Sequence, residues 1–259
     1  MTVQDLYRMI DRIAPFEIQM EGDNSGLLVG SASQEITGVL FALDVTGPVI
    51  DEAVALGAQL IVTHHPLMLT PVRTLTDEDY ETRLVRRLSK EDISLIAAHT
   101  NLDQAPGGVN DTLAERCGLT DVAGDAFFRC GLLPEPCTAW EYADRLKTLL
   151  RTDVRLMGPG CTLVRKVGLC SGSGGSEWPR AAETGCDAFV SGEIKHHFGL
   201  AMAGSGIVGM ECGHFATEEP GIRALAAALQ KALNQVECNV RVFVSEISAY
   251  SFTGNRDRR

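Results

Sequence analysis

Several familiar features are missing from this sequence, and each absence removes a class of protein. No apolar run approaches the roughly 18 residues that span a bilayer. The opening MTVQDLYRMIDRIAPFE places acids at Asp5 and Asp11 where a signal peptide would be uninterruptedly apolar. The expectation is a soluble protein with no membrane partner. No C-x-x-C pair occurs, and the first 116 residues have no cysteine at all. A secreted disulfide scaffold would be shorter and denser in cysteine. The eight cysteines, at 117, 130, 137, 161, 170, 186, 212 and 238, therefore read as reduced thiols of a cytoplasmic protein, mostly small core fillers. Cys212, two residues before His214, is the one whose surroundings would matter. A basic surplus is missing too: 23 Lys and Arg stand against 34 Asp and Glu, a formal charge of −11. Nucleic-acid binders carry a basic surplus or stripe, so that partner is not expected. The one basic cluster, Arg256-Asp257-Arg258-Arg259, reads as a solvated tail.

What is present is enough apolar material for a core. With 259 residues, 45% hydrophobic and 22% charged, one or two domains are expected, tightly joined because no low-complexity linker separates them. The clearest pattern is a repeated strand-helix-strand unit. ITGVLFALDVT (36–46), PVIDEAVALG (48–57) and AQLIVTHH (58–65) read as strand, helix and strand; so do RKVGLCSGSGG (165–175), EWPRAAETG (177–185) and CDAFVSGE (186–193). The two units align without a gap at an offset of 128, with Val39 on Val167, Gly57 on Gly185 and Thr63 on Ser191. Such alternation implies an α/β fold with largely parallel strands flanked by helices. Polar residues at the carboxyl ends of those strands line ligand crevices. Between the units lie the proline-rich LLPEP (132–136) and a helical pattern, AWEYADRLKTLL (139–150), with a domain change expected near 125–135. The chain closes with a strand (207–214), a helix (218–233) and a strand (240–247).

All six histidines fall in four short motifs, each following a run that reads as a buried strand. They are Thr63-His64-His65-Pro66, His99-Thr100-Asn101-Leu102-Asp103, Gly192-Glu193-Ile194-Lys195-His196-His197 and Gly213-His214-Phe215-Ala216-Thr217-Glu218. A lone histidine is more often structural than functional. Four strand ends that each join histidine to a carboxylate or a second histidine point to a metal, and the mixture suits zinc, iron, manganese or nickel. The spacing argues for two ions. In extended backbone His64 and His65 would point in opposite directions, toward two neighbouring ions. Asp103, four residues past His99, is placed to reach back and bridge. His214 reads as the end of a strand and Glu218 as the first turn of the next helix, with Thr217 as its N-cap. Three imidazoles and two carboxylates leave coordination positions open, as in a catalytic site.

These motifs, in this order, resemble the Nif-three-like family, also known as GTP cyclohydrolase type-two-like dinuclear metal-binding proteins. The resemblance covers nearly the whole chain. Besides the histidine motifs it rests on Asp23-Asn24-Ser25-Gly26-Leu27 and Gly108-Val109-Asn110-Asp111. The family usually has tryptophan before the Asp-Asn pair, where this chain has Gly22. Carried over residue by residue, the family's ligands fall on His64, His65, Asp103, His214 and Glu218. The resemblance implies two interlocked, repeat-related α/β lobes assembled into a ring-like homohexamer. It also implies two divalent transition-metal ions per subunit. We expect residues 1–126 with 205–259 to form the metal-binding lobe and 127–204 the second.

The remaining residues carry smaller expectations. His99 is assigned to acid/base work or to orienting Asp103. Glu193, His196 and His197 are assigned to acid/base work or the cavity wall, helical spacing putting Glu193 on one face with a histidine. The turn Ser171-Gly172-Ser173-Gly174-Gly175-Ser176 matches no phosphate-binding pattern and reads as a tight turn. Asp44 ends the first repeat's strand as a candidate partner to a ligand, and Asn24 is placed by the resemblance at the border of the cavity.

The leading functional expectation is a metal-dependent hydrolase in which a metal-bridging hydroxide attacks an electrophilic carbon or phosphorus. The resemblance suggests ring opening of GTP, yet a triphosphate usually meets arginine or lysine clamps and the motifs offer only Lys195. The substrate expected is a small molecule, with a nucleotide as one candidate. The alternatives are a metal-handling protein or metallochaperone without turnover, and, ranked last, an interaction scaffold.

Overall fold

The fold comes from a computed structural model that describes residues 1–248. The Arg256–Arg259 cluster lies outside those residues. In chain order the helices are α1 (Val3–Ile13), α2 (Gly47–Leu56), α3 (Tyr80–Lys90), α4 (Thr100–Gln104), α5 (Val109–Arg116), α6 (Ala139–Leu150), α7 (Trp178–Glu183), α8 (His196–Gly204) and α9 (His214–Gln235). The strands are β1 (Gly26–Val29), β2 (Gly38–Ala42), β3 (Leu60–Thr63), β4 (Ser94–Ala97), β5 (Thr120–Asp125), β6 (Phe128–Thr138), β7 (Arg155–Met157), β8 (Leu163–Cys170), β9 (Ala188–Ser191), β10 (Val208–Glu211) and β11 (Arg241–Val244). Two compact units result, one of Met1–Gly108 with Ile222–Ile247, the other built on Val109–Gly221.

In the first unit the strands run β1-β4-β3-β2-β11, with β1 antiparallel to β4 and every other pair parallel. Every residue of β2, β3 and β4 is buried, as expected for parallel strands covered on both faces. Each fully buried aliphatic side chain, such as Ile61 or Leu95, contributes about 1.5–3 kcal/mol. Helix α1 starts at a capping box between Thr2 and Asp5 and buries Val3, Leu6 and Ile10 on one face. Helix α2 is capped by the Thr46 hydroxyl and stops where Gly57 turns left-handed, at φ +63°.

In the second unit the order is β5-β6-β8-β9-β10-β7. Only β8, β9 and β10 are mutually parallel, so this sheet is mixed and parallel only in its middle. The expected α/β class, with two mixed sheets each flanked by helices, is what the chain adopts. The proline-rich LLPEP lies within β6. Pro134 and Pro136 cannot donate to a ladder, and the β6–β8 register shifts between Leu132 and Cys137, where they sit. Helix α6 has the expected span and a capping box of its own, from Thr138 to Glu141.

The repeat reaches further than its sequence match. β2 pairs with β3 through Val39–Leu60 to Ala42–Thr63, and β8 pairs with β9 through Val167–Ala188 to Cys170–Ser191, all at the offset of 128. The next parallel strands, β4 and β10, repeat that register, and an antiparallel edge strand follows in each unit, β1 or β7. Gly185 matches Gly57 in conformation as well as position, at φ +70°.

Six of the eight cysteines (117, 130, 137, 170, 186 and 212) are buried, as core fillers should be. Burial pushes the Cys212 thiol well above its ordinary range, which makes it inert despite its place near His214. Among the described residues no helix is long and apolar enough to cross a membrane.

Candidate metal centre

In the first unit the polar residues gather just past the carboxyl ends of β3 and β4. The chain bends at His64–His65 as soon as β3 ends, and the Thr63 hydroxyl donates to the His65 carbonyl at 2.8 Å. The two rings are therefore not splayed to opposite faces, as extended backbone would require; their centroids are 5.0 Å apart. His99 joins them at 5.2 Å from His64 and 5.7 Å from His65. Ring nitrogens of these three histidines lie within 4.8 Å of one another.

Each ring is held from behind. His64, fully buried, has Nδ1 2.9 Å from the Ala98 carbonyl, and His65 has Nδ1 2.7 Å from Asp44 Oδ1. His99 has Nδ1 2.8 Å from Asp23 Oδ1. Helix α4 starts right after His99, and its first turn brings Asp103 Oδ1 to 3.6 Å from His64 Nε2. Asp23 organises the surrounding loop: it accepts from the Thr100 N–H and hydroxyl, the Asn24 N–H and the Ser25 hydroxyl. Burial opposes charge on its carboxyl. The hydrogen bonds from His99 and Thr100 outweigh that and hold it well below the usual carboxylate range. Asn24 fastens the same loop, donating to the Met68 carbonyl at 2.5 Å.

In the second unit α9 starts at His214, four residues earlier than the sequence pattern suggested. Thr217 is therefore inside the helix and not its cap; its hydroxyl donates to the His214 carbonyl at 2.8 Å and accepts from the Gly172 N–H at 3.1 Å. His214 and Glu218 become helical neighbours at i and i+4, with Nε2 and Oε2 2.9 Å apart. On the other side His214 Nδ1 is 2.8 Å from Glu193 Oε1. Glu193 lies in the loop before α8, so it does not share a helical face with His196 or His197. His196 lines a groove of about 280 Å³ with Arg155, Leu156 and Met157. The His197 ring packs on Phe198, with centroids 4.2 Å apart. Neither histidine belongs to a cluster of potential metal ligands among the described residues.

The glycine-rich turn serves this pair. Gly172 is left-handed (φ +52°), and a Cβ there would overlap Glu218 Oε1 and come within 3.2 Å of His214 Nε2. Three of its backbone donors are engaged: Ser171 N–H binds Asn110 Oδ1, Gly172 N–H binds Thr217, and Gly174 N–H binds the Ser171 carbonyl. The turn lets the helix approach closely.

The donor chemistry fits a divalent cation. Two ligands about 2.1 Å from one tetrahedral ion stand about 3.4 Å from each other. The His64–Asp103 separation of 3.6 Å is of that size and too long for a hydrogen bond. A neutral imidazole has a single N–H. His64 and His214 each face oxygen acceptors with both nitrogens, a situation that a cation beside Nε2 satisfies.

A family model described as Duf34/NIF3 (NGG1p interacting factor 3) matches residues 1–250. The chain belongs to this family. Two relatives are each named GTP cyclohydrolase 1 type 2 homolog. The one from Lactococcus lactis is 32% identical over 254 residues, covering 95% of this chain and 96% of the relative. The one from Streptomyces coelicolor is 35% identical over 259 residues, covering 94% and 91%. Among solved structures, Staphylococcus aureus hypothetical protein SA1388 has a TM-score of 0.91 at 28% identity, covering 97% of this chain and 99% of that one. The Duf34/NIF3 match and the clustered histidine and carboxylate donors together support a metal-binding protein of this family.

Proposed function

We propose that His64, His65, Asp103, His214 and Glu218 hold two divalent transition-metal ions (zinc, iron, manganese or nickel) and that the protein is a metal-dependent hydrolase. The observation that carries this reading is the common disposition of His64 and His214, each anchored at Nδ1 by one oxygen and turned at Nε2 toward a nearly buried carboxylate. When bound, such ions supply a water nucleophile near neutral pH and polarise an electrophilic carbon or phosphorus.

The chain's own residues supply the rest. Asp103 and Glu218 bring negative charge to the ions from almost fully buried positions, where it is little screened by water. Buried charge of this kind offsets a bound cation. Asp23 accepts from His99 Nδ1, which leaves Nε2 as the nitrogen that takes up or releases a proton on the side of His64 and His65. We assign His99 as the acid/base group on that arrangement.

The relatives' name suggests GTP as substrate, with hydrolytic opening of its base. The three engaged N–H groups of the glycine-rich turn argue against a phosphate cradle there, and our assignment stops at hydrolysis of a small molecule. A cytoplasmic homohexamer is the assembly we propose from the family resemblance.

The test is a metabolite hydrolysis screen on metal-replete protein, repeated after chelation and with His99→Ala. Metal-dependent turnover that falls about 10²–10⁴-fold in His99→Ala is the expected result. Turnover indifferent to chelation would contradict the assignment. Faithful transfer of ions to an acceptor protein, with no hydrolysis, would favour metal handling instead.

A further inference from the structure

The internal repeat relates two acids that lie outside the proposed ligand set, Asp44 and Glu193. At the offset of 128 set by the strand registers, Asp44 corresponds to Gly172 and His65 to Glu193. In the first unit this pair is an acid and a histidine in contact, with Asp44 Oδ1 at 2.7 Å from His65 Nδ1. In the second unit the same two positions hold a gap and an acid. Gly172 leaves the space that Glu218 Oε1 fills, and Glu193 Oε1 reaches His214 Nδ1 at 2.8 Å. The position that bears a histidine in one unit bears, in the other, the carboxylate that holds a histidine.

We infer that Asp44 and Glu193 are positioning residues that fix His65 and His214 as Nδ1–H tautomers, so that Nε2 is the metal-binding nitrogen of each. The inference rests on the metal reading given above. An ionised carboxylate only accepts hydrogen bonds, so the ring nitrogen facing Asp44 or Glu193 carries the hydrogen; at His214, whose Nε2 also faces the Glu218 carboxylate at 2.9 Å, a bound cation takes the place of a second hydrogen. His64 obtains the same tautomer from a neutral acceptor, the Ala98 carbonyl. His65 and His214 are each about a quarter exposed, unlike His64, and each has a charged acceptor. Glu193 is 60% exposed and Asp44 34%, so screening by water makes the Asp44 contact the stronger of the two.

The test is titration of chelator-stripped protein with Zn²⁺, comparing the unaltered chain with Asp44→Asn, Asp44→Ala, Glu193→Gln and Glu193→Ala. The unaltered chain takes up two ions. The alanine variants lose about 10–100-fold in affinity for one ion, Asp44→Ala more than Glu193→Ala. The amide variants, which keep an acceptor but lose the charge, fall in between. Nitrogen-15 spectra of the stripped protein provide a second readout. The His65 ring is an Nδ1–H tautomer in the unaltered chain and shifts toward Nε2–H in Asp44→Ala. Unchanged tautomers and affinities in the variants, with two ions bound by the unaltered chain, overturn this inference alone. An unaltered chain that takes up no Zn²⁺ overturns the metal reading and the inference with it. Glu193 is exposed enough that its variants fold, which keeps the test decisive if an Asp44 variant does not.

Discussion

Asp23 and His99, 76 residues apart in sequence, meet through a 2.8 Å hydrogen bond between carboxylate and Nδ1. That contact closes the loop before β1 onto the end of β4, beside His64 and His65. Asp23 is almost fully buried there, and it also accepts from Thr100, Asn24 and Ser25.

The pH dependence of stability tests this arrangement. With its folded carboxyl below the ordinary range of about 3.9, Asp23 contributes stability that is fully present above that value and is lost as pH falls toward the folded one. Asp23→Ala removes this contribution, at a cost of about 3 kcal/mol near neutral pH. In denaturant unfolding, the gap between the unaltered chain and the variant stays constant above about pH 5 and narrows below about pH 4. A gap that widens on acidification would contradict the assigned direction.

Gly172 is predicted to tolerate no side chain. Gly172→Ala forces a methyl group against the Glu218 carboxylate and the His214 ring and fixes an alanine at positive φ. Metal affinity measured by titration should fall at least about tenfold. Wild-type affinity in this variant would show that the close approach of helix and turn is incidental.

Asp103 and His197 should separate ligand from bystander. Asp103→Asn keeps the size but removes the charge beside His64, and we expect it to purify with at least one ion fewer while folding normally. His197 is exposed and packs on Phe198, so His197→Ala should keep a normal metal content. A His197→Ala protein with half the metal would make that histidine a ligand.

How much of this was legible in the sequence differs from residue to residue. The apolar runs of β2 and β3, the glycine ending α2, and the span of α6 are local signals, and local signals survive into the fold. The strand-end motifs were legible for the same reason. The run 207–214 reads as one strand to its end, whereas β10 stops at Glu211 and α9 starts at His214, with Pro220 as its seventh residue. The i, i+4 spacing of His214 and Glu218 was the signal that would have shown it. Strand alternation puts His64 and His65 on opposite faces only in extended backbone, and the backbone bends as soon as β3 ends at Thr63. The Asp23–His99 and Glu193–His214 contacts had no sequence signal, since a pairing across tens of residues exists only once the strands are in register. The prolines of LLPEP give no sign of the strand they belong to, because they sit in a break of the β6–β8 ladder.

The central claim is that this chain holds two metal ions, and elemental analysis of protein purified from cells without added metal tests it most directly. The account predicts about two transition-metal ions per chain, falling to one or fewer in Asp103→Asn. One ion or none in metal-replete, unaltered protein would contradict it.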